Sequence, residues 1–103
     1  MIARTWRGWT ATAAADDYQH TYESDVAQRL RRVGGFRGAR LLRRPDGDEV
    51  MFTSIVYFSS MDDVRAFAGA DPEQAVIEDA ARRSLTRWDD RVTHHEVTVE
   101  VEA

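Results

Sequence analysis

Two adjacent histidines, His94 and His95, are the residues in this chain best suited to proton chemistry. On a strand they point to opposite faces and cannot easily share one metal ion. His95 falls on the face of Val97, Val99 and Val101. There it is either satisfied by a hydrogen bond inside the fold or acts as a general base. His94 shares the other face with Glu96, Thr98 and Glu100; if that face meets a partner subunit, an interface role is expected before catalysis. His20 falls off the apolar stripe of its helix, so it reads as solvent-facing or as a pocket-mouth residue. Arg4 and Arg40 sit mid-strand, where a charge needs solvent or a partner. Each is either a surface or interface salt bridge or a guanidinium aimed at a phenolate or carboxylate. Trp6, Tyr18, Tyr22, Phe52, Phe67 and Trp88, with Trp9, form a large aromatic inventory. They read as ordinary core or as the walls of a flat pocket, and the two readings overlap.

Absences narrow the chemistry further. There is no Cys, which removes disulfides, thiolate nucleophiles and thiolate metal sites. All 14 basic residues are Arg, so no lysine Schiff base can form. There is no Asn. Gly34-Gly35 and Gly38 do not precede a helix, so no phosphate-cradling loop is present. The acidic pairs Asp16-Asp17 and Asp62-Asp63 stand at helix starts, where the dipole accounts for them. A net charge of −4 argues against nucleic acid as a partner. The arginines from Arg29 to Arg44 read as a solvated surface or as an anion-steering rim. With no apolar signal core and no span of about 20 apolar residues, a cytoplasmic protein without a membrane partner is expected.

The elements that must position these residues fit one domain, 1–103. Residues 2–10 read as a strand, and Thr12 as the N-cap of a helix. That helix carries an apolar stripe at Ala14, Tyr18, Tyr22, Val26, Leu30 and Val33, and Gly34-Gly35 end it. Strand 36–44, the turn Pro45-Asp46-Gly47-Asp48 and strand 50–58 form a hairpin. Ser60-Met61-Asp62-Asp63 resembles a capping box and opens a short helix through Phe67 and Ala68. Asp71-Pro72 starts a further helix to about Arg83. A connector from Ser84 to Arg91 holds Trp88, and a last strand runs from Val92 to Glu102. The order predicts an α+β, ferredoxin-like βαββαβ domain: a four-stranded antiparallel sheet with helices on one face. In strand 50–58, Val50, Phe52, Val56 and Phe58 point one way, and Met51, Ile55 and Tyr57 the other. Such a strand needs cover on both sides. A second copy of the chain is the simplest cover for the open face, which predicts a homodimer built as a dimeric α+β barrel.

Four stretches, in order, resemble the antibiotic biosynthesis monooxygenase family: Arg4-Thr5-Trp6-Arg7-Gly8, Gly35-Phe36-Arg37-Gly38-Ala39-Arg40, Asp63 to Glu73, and Val92-Thr93-His94-His95-Glu96-Val97. The resemblance implies a pocket between sheet and helices for a small aromatic molecule of the quinol or anthrone type. It implies oxygenation without metal, flavin or other cofactor. His95 would be the base, Arg40 or Arg4 the anion partner, and Trp6, Tyr18, Tyr22, Phe52, Phe67 and Trp88 the substrate-binding residues. Haem-degrading relatives use an Asn, a Trp and a His that would fall near Thr5, Phe67 and Ile77; none matches. A non-catalytic dimeric binding or accessory protein, and a cyclase or isomerase, are the alternatives on the same fold.

Overall fold

The alternation of Glu49–Phe58 dictates the centre of the molecule. In the computed structural model, which describes residues 1–103, Val50, Phe52, Ser54, Val56 and Phe58 are all buried on one face of strand β3 (Glu49–Phe58). Met51, Thr53, Ile55 and Tyr57 stay half-buried on the other, as a period of two requires. β3 pairs antiparallel with β1 (Ile2–Ala11) and with β2 (Phe36–Asp46). Gly47, at φ +62°, makes the tight turn of the β2–β3 hairpin. The other edge of β1 is filled twice. β4 (Leu85–Trp88) pairs with Gly8–Thr10, and β5 (Thr93–Glu96) with Ile2–Thr5. The sheet order is β2-β3-β1-β4, with β5 continuing beside β1. This is the expected ferredoxin-like antiparallel sheet, its fourth strand broken at Asp89-Asp90.

The first helix is one rod made of three kinds of turn. A 3-10 turn (Thr12–Ala14) leads into α1 (Ala15–Thr21), a π turn (Tyr22–Val26) and α2 (Ala27–Arg31). The apolar stripe explains the π turn. Steps of four residues overshoot an α-helical turn by about 40° each, so the stripe would wind off the core. A wider turn at Tyr22–Val26 takes up the overshoot and keeps Tyr18, Tyr22 and Leu30 buried on the sheet. Thr12 does not cap the helix; its hydroxyl donates to the Asp48 carbonyl at 3.0 Å. α3 (Met61–Ala68) starts as its sequence predicts: Ser60 Oγ accepts from the Asp63 N–H at 3.2 Å and donates to Asp63 Oδ2 at 2.9 Å. The core has two parts. Tyr18, Tyr22, Val50 and Phe52 form one, and Leu30, Val56, Phe58 and Val64 the other.

Between α3 and the sheet edge the chain departs from expectation. Residues 71–83 do not form one helix; only α4 (Asp79–Arg82) is helical. The Ala75 N–H donates to Asp90 at 2.9 Å and Val92 to Glu73 at 2.8 Å, and Gln74 bridges Arg91. Pairing to the 90–92 segment and the β-branched Val76 and Ile77 outweigh the Asp-Pro start signal. The connector expected at 84–91 contains β4, because β1 has an open edge there and Thr86 and Trp88 suit a strand. The last strand is shorter than expected: regular pairing ends at Glu96, and Val99 and Val101 are 76% and 87% exposed. No helix is long and apolar enough to cross a membrane.

Candidate functional site

Even-numbered residues of β1 face the helices, and that parity builds a cavity. Arg4 and Trp6 form part of its floor with Ser54 and Val56 of β3. Tyr18, Tyr22, Val26, Arg29 and Leu30 of the first helix roof it. Phe67, Val76, Ile77, Glu78, Ala81 and Val92 close the side. The volume is about 70 Å³. At about 10–15 Å³ per water-sized group, that holds one ring rather than a fused tricycle.

Small local devices hold the lining. Trp6 lies across Gly8, where a Cβ would come within 2.4 Å of its Cη2, and its Nε1 donates to the Asp89 carbonyl at 2.8 Å. The Tyr22 hydroxyl and Ser54 Oγ are hydrogen-bonded at 2.8 Å and both buried. Burial raises the Tyr22 hydroxyl above its usual pKa, with the Ser54 bond opposing, and burial and then Tyr22 raise that of Tyr18. Both phenols are therefore protonated at neutral pH. At the mouth, Arg29 bridges the first helix to Glu78 and lies 5.2 Å from the Phe67 ring centre.

Arg4 is the exceptional residue. It is 5% exposed and touches no carboxylate. Nη1 donates to the Pro72 carbonyl at 2.5 Å and lies 2.9 Å from His94 Nε2; Nη2 donates to the Gln74 carbonyl at 2.8 Å. Burial lowers its pKa to about 10, so it stays charged at neutral pH. Phe67 lies 5.6 Å from its Cζ. The same guanidinium fixes the histidine. Burial, then the Arg4 charge, holds His94 below its usual pKa, Glu73 opposing. Because Arg4 can only donate, His94 Nε2 is the acceptor and the ring is neutral.

The sequence matches no family model and no curated protein. Solved structures do match. MhuD, a heme-degrader of Mycobacterium tuberculosis with two hemes bound in its active site, aligns over 99% of this chain and 100% of its own, with TM-score 0.64 and 19% identity. The monooxygenase ActVA-Orf6 of Streptomyces coelicolor, in complex with nanaomycin D, aligns over 99% and 91%, with TM-score 0.68 and 15% identity. A Deinococcus radiodurans protein provisionally classed as an antibiotic biosynthesis monooxygenase aligns over 100% and 98%, with TM-score 0.57 and 10% identity. The chain has the antibiotic biosynthesis monooxygenase fold. At these identities the likeness speaks for the fold and leaves chemistry to the residues.

On this monooxygenase fold the expected site residues separate into two groups. Arg4, Trp6, Tyr18, Tyr22 and Phe67 come together around the cavity. Phe52 lies beneath it, packed on Tyr18 at 4.6 Å between ring centres. Trp88 faces the same side from β4 opposite Gly8 but does not reach the lining. Arg40 and His95 lie on the opposite face. Arg40 pairs with Ile55, on the helix-free side of the sheet. His95 pairs with Ala3, is exposed, and has Nε2 3.3 Å from Thr93 Oγ1. His95 is therefore not placed to act as the base in this cavity. The buried valine that marks the cavity side of this segment is Val92, two residues before His94; Val97, Val99 and Val101 belong to the open side. The parity of Val92 and His94, with Arg4 opposite His94, was the signal that finds the histidine near the cavity. Nothing in the sequence marks Glu78. No three His, Asp or Glu side chains are grouped to hold a metal ion. The residues do not suit haem either: none of the histidines lines the cavity, and its volume is far below that of a porphyrin.

Proposed function

We propose that the protein is a cofactor-independent, monooxygenase-like enzyme that oxidises a small phenolic molecule in this cavity. One observation carries the reading: a buried, uncompensated guanidinium, Arg4, at one end of an aromatic-walled cavity. A cation there stabilises a phenolate over a phenol, which is the form that gives electrons to oxygen. For a simple phenol the chemistry balances without another reductant. Phenol and O₂ give a para-quinone and water; one oxygen atom ends in the new carbonyl and the other in the water. Trp6, Tyr22 and Phe67 hold the ring. Proton acceptance falls to Glu78, the one carboxylate in the lining.

The active form we propose is a homodimer closed through the helix-free face of the sheet. Ala3, Thr5, Ile55 and Tyr57 of that face, with Val99 and Val101, border a broad open groove. Sedimentation at micromolar concentration should give twice the 11.8 kDa chain mass; a monomer at every concentration would reject this.

Oxygen uptake with a panel of phenols and quinols tests the activity. The expected result is uptake above the spontaneous rate, lost in Glu78→Gln and Arg4→Gln. A second reading, a non-catalytic binding protein, is favoured by the engagement of the candidate base: Arg29 holds Glu78. Ligand-induced stabilisation without uptake across the panel would select it.

A further inference from the structure

The charges around the cavity do not balance, and the imbalance specifies a ligand. Two cations and one carboxylate line it, and Arg29 already holds the carboxylate of Glu78. His94, beside Arg4, is neutral. The remaining charge belongs to Arg4. A guanidinium has five N–H donors. Three are engaged, by Pro72, His94 and Gln74. The Nε–H and one N–H on Nη2 have no acceptor in the protein. Nε is not sealed either, because the one buried side-chain nitrogen or oxygen lacking a partner is Thr10 Oγ1. A buried cation with two free donors on neighbouring nitrogens is half of a bidentate carboxylate site. Neutral carbonyls alone are a poor return for desolvating a charge; a bound anion supplies the missing counter-charge.

We propose that this cavity takes a single-ring aromatic carboxylate, its carboxylate on Arg4 Nε and Nη2 and its ring between Trp6, Tyr22 and Phe67. The proposal rests on the cavity being the ligand site, as argued above, and names a ring carboxylate as the anion held by Arg4 in place of the phenolate oxygen. The volume sets the ring count, the aromatic lining sets its nature, and Arg4 sets the charge.

The experiment is calorimetric titration of the full chain with benzoate, benzamide and acetate. Benzoate and benzamide share a shape and differ in charge; acetate has the charge without the ring. Benzoate is expected to bind roughly tenfold to a hundredfold more tightly than benzamide, in line with charged hydrogen bonds, and more tightly than acetate. Arg4→Gln should bring benzoate down to the level of benzamide. Because Arg4 also ties Pro72 and Gln74 to the sheet, a second variant is needed. Val76→Trp fills the cavity from the irregular 75–78 segment and should abolish benzoate binding while far-ultraviolet circular dichroism and a cooperative thermal transition are retained. Equal affinity for benzoate and benzamide, both lost in Val76→Trp, would overturn the charge assignment and leave the cavity reading standing. Binding that ignores Val76→Trp, or no binding of either aromatic at millimolar concentration, would overturn both.

Discussion

The Tyr22–Ser54 hydrogen bond gives the sharpest energetic test of the site. It joins the π turn of the first helix to β3 at 2.8 Å, and both residues are at least nine-tenths buried. Removing one hydroxyl leaves the other without its partner. A buried unsatisfied hydroxyl costs about 1–3 kcal/mol. The adjoining cavity can admit a water to either group, so the low end, about 1 kcal/mol for each of Tyr22→Phe and Ser54→Ala, is expected. The double variant strands neither group and should lose about 0.5–1.5 kcal/mol in total. A coupling of at least about 0.5 kcal/mol then separates the double variant from the sum of the singles. For a domain near 100 residues, each kcal/mol is about 4–8 °C in melting temperature, so the effects are measurable. Urea unfolding followed by tryptophan fluorescence gives all four free energies. Additivity within about 0.3 kcal/mol would refute the reasoning, because it would mean the two hydroxyls do not meet.

Other perturbations test different parts of the structure. Val64→Ala empties a fully buried position between Leu30, Val56 and Phe58 and should cost about 2 kcal/mol by urea unfolding; a change near zero would mean α3 is not docked there. Gly35→Ala should be strongly destabilising, since φ is +79° and the new Cβ would lie within 2.1 Å of the Asp63 carboxyl carbon. A wild-type melting temperature in that variant would contradict the cap geometry. His94 should make the protein lose stability in mild acid. Its pKa is depressed in the fold, so the unfolded chain takes the proton first as pH falls below about 6.5. The stability present above that value is lost as pH falls through the folded pKa. His94→Gln should flatten the drop in melting temperature between about pH 7.5 and 5.5; an equal drop in both proteins would refute the assignment.

The sheet was legible because its strands announce their faces. Val50, Phe52, Val56 and Phe58 alternate with Met51, Ile55 and Tyr57, and the structure orients them as that alternation demands. The first helix was legible too. Its stripe reads as plain helix, and the π turn at Tyr22–Val26 is seen only in the structure. The segment from Asp71 to Trp88 was not legible, because its conformation depends on partners far away in sequence: Ala75 bonds Asp90, and Leu85 meets Thr10. Arg4 was visible as a mid-strand charge with two possible fates, and burial decides between them. His95 illustrates the opposite outcome. Three valines after it were read as facing inward, but exposed valines at the end of a strand follow the same alternation as buried ones.

The neighbours of β1 come from parts of the chain far apart in sequence. Its Ile2 lies beside Phe58 on one edge and Glu96 on the other. β1 therefore waits for β5 before its backbone is saturated. Until then a flank of hydrogen-bonding groups stays open to any passing strand. Closing so long a loop makes folding slow for a protein of this size. A brief period of chaperone protection during synthesis would suit this chain more than a helical bundle of equal length.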